Sequence, residues 1–217
     1  MRKFDTNLKK SSQEQLNRLL EHYQAGRYKD AEKLSLSITR ELPKNQFAWK
    51  VLGAALKQMG KLNESLVVFQ KSVELGAQDA EAHNNLGVIM KELGRLKEAE
   101  ASYNQAITLM PDDAEAYCNL GNVLKELGRL NDAETSFTKA IALMPNFAEA
   151  HSNLGVVFQE LGRLEESKVS LTKAIALMPN FMDAARNLVK LPVGQVDSHA
   201  LNLCEKAVGT SDNSLEH

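Results

Sequence analysis

Cysteine is scarce in this chain of 217 residues: Cys118 and Cys204 stand far apart and form no CxxC pair. That excludes a disulfide framework and fits a reducing, cytoplasmic setting. Charge of one sign is lacking too, since 26 basic residues face 28 acidic ones, for a net charge of -2. Such a balance gives no pull toward nucleic acid or anionic lipid, and neither is expected as a partner. No run of eighteen apolar residues exists, so no membrane span is expected, and Met1 to Asp5 leads into polar sequence without the apolar core of a signal peptide. The GxxxxGK[ST], HExxH, GxSxG and GxGxxG patterns are all missing. Acidic side chains are plentiful but follow a helical surface pattern, so they have no closed pocket in which to acquire shifted pKa values. The expectation is a chain with no catalytic machinery, metal or cofactor. With 43% hydrophobic residues it has ample material for a core.

What the chain has is repetition. Leu-Gly pairs recur at Leu52-Gly53, Leu86-Gly87, Leu120-Gly121 and Leu154-Gly155, each 34 residues after the last (87 − 53, 121 − 87, 155 − 121). Gly60, Gly94, Gly128 and Gly162 keep the same period. Around this frame, repeat 80–113 places His83, Met90, Ala99, Tyr103, Ala106 and Pro111. Repeat 114–147 places Tyr117, Leu124, Ala133, Phe137, Ala140 and Pro145, and repeat 148–181 places His151, Phe158, Ser167, Leu171, Ala174 and Pro179. Repeat 46–79 begins well with Trp49 and Leu56 but has Ala77 where proline is due. A weaker repeat, 12–45, runs from Leu16, Leu19, Leu20 and Tyr23 through Gly26 and Ala31 to Pro43.

Period and pattern together resemble the tetratricopeptide-repeat (TPR) family over about 12–190. The resemblance implies an all-α fold, a right-handed superhelical solenoid of helix-turn-helix repeats. Helical spacing agrees: in the third repeat, Ala82, Leu86, Ile89, Met90 and Leu93 fit a first helix over 80–93. Leu96, Ala99, Tyr103 and Ile107 fit a second over 96–109. Gly87 and Ala99 are small where the pair must approach, and Gly94 suits a left-handed C-cap. Asp112, Asn146 and Asn180 precede Glu115, Glu149 and Asp183 by three residues, which predicts capping boxes at the next helix starts. Residues 182–190 form a capping helix, with Met182, Ala185 and Leu188 inward and Asp183, Arg186 and Lys190 outward. A single pair cannot bury its apolar face, so stability comes from stacking.

In this family the first helices line a concave groove, filled from the second, fifth, sixth, ninth, twelfth and thirteenth positions of each repeat. Asn85, Asn119 and Asn153 share the sixth position of three successive repeats, with Asn84 and Asn122 nearby. Asparagine is a mediocre helix former, but its amide both donates and accepts. A row of amides could hold the backbone of an extended peptide whatever its side chains. Together with Ala116 to Glu126, the row resembles the asparagine ladder of the TPR arm of O-linked N-acetylglucosamine transferase. Simple copying of Asn with each duplicated repeat explains it as well. Lys50, Lys57, Lys91, Lys125, Val88, Cys118 and Val156 complete the expected peptide-binding set. The carboxylate clamp of co-chaperone TPR modules finds Lys50 and Asn85 but fails at Ala54, Glu115 and Asn119. Lysines early in the groove and Glu149 and Glu160 late in it predict that the basic part of a peptide lies toward 149–160.

The remaining conspicuous residues read as structural. His83 and His151 replace an aromatic and are expected to pack within their repeats, too far apart to share a metal. Met110, Met144 and Met178 read as inter-repeat packing. Residues 1–11 read as a basic, solvated tail, 191–214 as an extra helix (197–208) and linker, and 215–217 as the start of a tag. The natural protein is expected to continue. Three functions stay open: a scaffold for a protein or peptide, the substrate-recruiting N-terminal arm of a larger multidomain enzyme such as a transferase, and a module that self-associates weakly through its solenoid ends.

Overall fold

The computed structural model describes residues 2–192, and every regular element among them is a helix. They gather into two compact units, one ending at Leu109 and the other starting at Met110. The first unit holds α1 (Arg2–Gln24), α2 (Tyr28–Glu41), α3 (Gln46–Gln58), α4 (Leu62–Leu75), α5 (Ala80–Glu92) and α6 (Leu96–Leu109). The second holds α7 (Ala114–Glu126), α8 (Leu130–Leu143), α9 (Ala148–Glu160), α10 (Leu164–Leu177) and α11 (Met182–Val189). In both units each helix packs on the next, and first helices also touch their counterparts one repeat on, α1 on α3, α7 on α9 and α9 on α11. The extra helix and linker expected after Pro192, and the tag at 215–217, lie outside the described residues, as does Cys204.

The repeated residues build each helix pair in the same way. The helix pair of 80–113 starts and stops within one residue of its expected bounds. Between the two helices Gly94 turns the chain with φ +72°, a conformation any Cβ would oppose. Within the pair, a Cβ on Gly87 would lie 2.8 Å from the Tyr103 ring. The glycine is what lets that ring, fully buried, lie against the first helix. In two repeats a hydroxyl joins the same contact: Ser65 Oγ donates to Gly53 O and Ser167 Oγ to Gly155 O, each at 2.8 Å. The last helix packs over its unit with Ala185 and Leu188 buried beside Leu171 and Ile175; Ala184 joins them, while Met182, expected inward, is only half-buried.

Several local expectations need correction. Asp112 does not cap α7; Asp113 does, its Oδ1 accepting from Glu115 N at 2.9 Å and Ala116 N at 3.1 Å. Asn45 and Asp79 cap α3 and α5 from the same place in their repeats. At α9 and α11 that place holds Phe147 and Phe181, and no side chain caps the helix. Asn146 and Asn180 sit one residue too early to reach the free N–H groups, so no capping box forms. Met110 and Met144 are 40% and 42% exposed and Met178 is half-buried, so the methionines expected at inter-repeat contacts stay partly open to solvent. The histidines do more than pack. His83 Nε2 bonds Ala77 O and His151 Nε2 bonds Pro145 O, each at 3.1 Å, and Trp49 Nε1 donates to Pro43 O at 2.9 Å. A carbonyl only accepts, so each imidazole carries its proton on Nε2. These side chains tie a helix start to the turn before it.

Candidate peptide-binding face

The first helices present a regular face in both units. The sixth, ninth and twelfth positions are half-buried almost throughout: Asn85, Val88 and Lys91 on α5, Asn119, Asn122 and Lys125 on α7, Asn153, Val156 and Gln159 on α9. Second and thirteenth positions, such as Glu81, Glu92, Glu115 and Glu160, are exposed. A half-buried position is one where a side chain is held by its neighbours yet still meets solvent, which is what a binding surface needs.

In the first unit this face deepens into a cavity of about 270 Å³. Leu20 and Tyr23 of α1 and Phe47, Val51 and Ala54 of α3 give it an apolar lining. Lys50 of α3 and Glu81 and Asn85 of α5 supply its polar edge. Lys50 Nζ pairs with Asp79 Oδ2 at 3.2 Å and with Glu81 Oε2. Burial pulls its pKa down, but the hydrogen bonds and charges of Glu81 and Asp79 outweigh that, and the net direction is up. Lys57 pairs with Glu92 at 3.2 Å. Both lysines expected to make this end of the groove positive are therefore matched by acids, Lys50 by Asp79 of its own repeat and Glu81 of the next, and Lys57 by Glu92 of the next. The charge gradient expected along the groove loses its positive end.

The asparagines are not equivalent. Asn84 and Asn119 are engaged with other groups, and Asn153 hydrogen-bonds Cys118. Asn85 makes no side-chain hydrogen bond among the described residues and stands at the cavity edge. Cys118, expected to face the groove, is only 4% exposed. Burial pushes its thiol up to about 11; the bond from Asn153 works against this, while Glu149 and Glu115 add to it. It is a neutral thiol beneath the face rather than a contact on it. Further along, Gln159 Nε2 donates to Asn187 O at 2.7 Å, so a groove amide already binds a main-chain carbonyl of α11. The lining contributed by Leu20 and Tyr23 was missed in the sequence because the first repeat lacks the Leu-Gly pair that fixes register elsewhere. No group of side chains among the described residues could hold a metal ion, and no described helix is long and apolar enough to cross a membrane.

A family model for the TPR repeat matches residues 53–94, 89–128 and 121–162, and one for the tetratricopeptide repeat matches 148–181. The chain belongs to the tetratricopeptide-repeat family. No curated protein sequence matches it. Among solved structures it is similar to MamA (23% identity, 76% of this chain and 91% of that chain, TM-score 0.67). It is also similar to YrrB, described as a TPR protein with an unusual peptide-binding site (22% identity, 79% and 89%, TM-score 0.66). A third is PilW, a type IV pilus biogenesis factor (20% identity, 94% and 91%, TM-score 0.77). At these identities the likeness concerns the fold: an all-α solenoid of TPR helix pairs.

Proposed function

We propose that the chain is a non-enzymatic interaction scaffold that holds an extended segment of another protein along the face of its first helices. The observation that carries this is the cavity of the first unit, whose lining combines apolar side chains with the amide of Asn85. Asn119, Asn122 and Asn153 stand half-buried at the corresponding face of the second unit, and an amide side chain can both donate to and accept from a peptide main chain. Val88 and Lys91 share the half-buried face of α5 with Asn85, Lys125 that of α7 with Asn119, and Val156 that of α9 with Asn153. Cys118 takes no direct part, being buried. The paired charges of Lys50 and Lys57 argue for recognition by shape and hydrogen bonding over capture of an acidic chain terminus. YrrB is a family relative with a peptide-binding site of its own, which supports the same use of the fold.

Affinity should be modest, on the order of micromolar, because ordering the peptide opposes the contacts. Binding to a library of short unstructured peptides tests the idea. A variant carrying Asn85→Ala, Asn119→Ala and Asn153→Ala should lose most of it while remaining helical; equal binding by the variant removes the asparagines from the mechanism. The asparagine row also supports a more specific reading, that the scaffold recruits acceptor polypeptides to a transferase domain. A reading frame that continues into such a domain is the check on that version.

A further inference from the structure

The cavity between α1, α3 and α5 has a size and a charge that narrow what it can take. Its volume of about 270 Å³ falls just under the roughly 300 Å³ at which pockets begin to enclose whole drug-sized molecules. It fits one side chain of a polypeptide better than a free small molecule. Its apolar lining is only partly covered, with Leu20 38% and Phe47 37% exposed, so an apolar side chain entering it removes further surface from water. At the edge one cation, Lys50, faces two carboxylates, Asp79 and Glu81, for a local charge of −1. Asp79 is fully engaged: Oδ1 accepts from Ala82 N and Oδ2 from Gln46 Nε2 as well as Lys50. Glu81 is different. Its side chain is 62% exposed, only Oε2 meets Lys50, and Oε1 has no hydrogen-bond partner among the described residues.

We propose that this cavity is the anchor point of the bound segment, taking a large apolar residue directly beside a lysine or arginine. The apolar side chain enters between Tyr23 and Phe47. The neighbouring cation reaches the open carboxylate oxygen of Glu81, and the Asn85 amide bonds the main chain between them. A peptide with Asp or Glu beside the anchor would meet the surplus carboxylate, so the site discriminates by repulsion as well as attraction. This deepens the scaffold reading above and rests on it.

The test is selection from a displayed library of random unstructured peptides, run with the wild-type chain and with Glu81→Lys, Glu81→Gln, Ala54→Trp and Phe47→Ala. Wild type should enrich an apolar-basic pair. Glu81→Gln should weaken the basic preference, and Glu81→Lys should turn it acidic while keeping the apolar residue. Ala54→Trp, which fills the cavity, and Phe47→Ala, which opens it, should each weaken the best wild-type peptide roughly tenfold, about 1.4 kcal/mol. Thermal melts identify any variant that fails to fold, and Glu81→Gln alters a side chain that is 62% exposed. Enriched peptides that lack the pair, or a preference unchanged in folded variants, overturn the anchor while leaving the scaffold reading in place. No enrichment by wild type overturns both.

Discussion

The side chain of Gln46 fills the space that a side chain on residue 76 would need: its Nε2 lies 2.2 Å from where a Cβ on Gly76 would stand. From there it donates to Asp79 Oδ2 at 2.9 Å and Ser72 O at 3.3 Å. The next three repeats hold Ala80, Ala114 and Ala148 in the first place and Met110, Met144 and Met178 in the second. Large and small have exchanged places in repeat 46–79. Gly76→Met should therefore cost about 1–3 kcal/mol by crowding, and Gln46→Ala about 1 kcal/mol through lost hydrogen bonds. The double variant should cost clearly less than the sum, since it restores the pair the other repeats use. Denaturant unfolding of all four proteins measures this, and simple additivity would refute the exchange.

A second expectation separates the two kinds of glycine. A Cβ on Gly155 would come within 2.6 Å of Leu171 Cγ and 3.3 Å of the Ser167 carbonyl, whereas one on Gly162 would meet nothing within 4 Å. Gly155→Ala should cost about 1–3 kcal/mol through overpacking, and Leu171→Ala in the same chain should relieve part of that. Gly162→Ala should cost about 1–2 kcal/mol from its φ of +75° alone, with no relief from any neighbour. Equal responses to Leu171→Ala would mean that packing does not explain Gly155.

These glycines also show why most of the fold was legible in the sequence. Gly87, Gly94 and Tyr103 each answer a demand made within one helix pair, and such demands repeat every 34 residues. Helix bounds and core positions followed from them. The helix caps were misread because Asp112 and Asp113 stand side by side, and only the path of the backbone decides which reaches the free N–H groups. The groove chemistry was less legible still. Lys50 looked like an open cation because its partners Asp79 and Glu81 are about thirty residues away. Cys118 looked exposed because the fifth position is half-buried in the two preceding repeats, at Lys50 and Asn84, and closes over in the last two, at Cys118 and Ser152. Pairing and burial between repeats depend on both neighbours at once, which a period alone does not encode.

The buried thiol makes the chain's stability depend on alkaline pH. Cys118 is raised from 9.0 to about 11 in the folded chain. Below pH 9 it is protonated in both states and changes nothing. Between about 9 and about 11 the unfolded chain loses the proton while the folded one keeps it, so stability falls as pH rises. The wild-type unfolding free energy should therefore drop more steeply over that window than that of Cys118→Ala, and the two slopes should match at pH 7–8. In peptide-resolved labelling, Cys118 should react with iodoacetamide far more slowly than a free cysteine at pH 8. Fast labelling of the folded chain would contradict both the burial and the pH slope.

Asn85 and Asn153 occupy the same place in their repeats but should fail differently when truncated. Asn85 makes no side-chain hydrogen bond among the described residues, so Asn85→Ala should leave the unfolding midpoint nearly unchanged. If its amide holds a peptide main chain, binding should weaken about five- to tenfold, the worth of a hydrogen bond of about 1 kcal/mol. Asn153 is already bonded to Cys118, where it opposes the effect of burial on the thiol. Asn153→Ala should therefore push the Cys118 pKa higher still, seen as a thiol-labelling profile displaced to more alkaline pH, as well as reducing any peptide binding. Asn85→Ala should leave that profile where it is. If the two variants behave alike in the labelling experiment, the Asn153 bond is not what tunes the thiol. If they behave alike in binding and stability as well, the asparagines are interchangeable copies of one duplicated repeat.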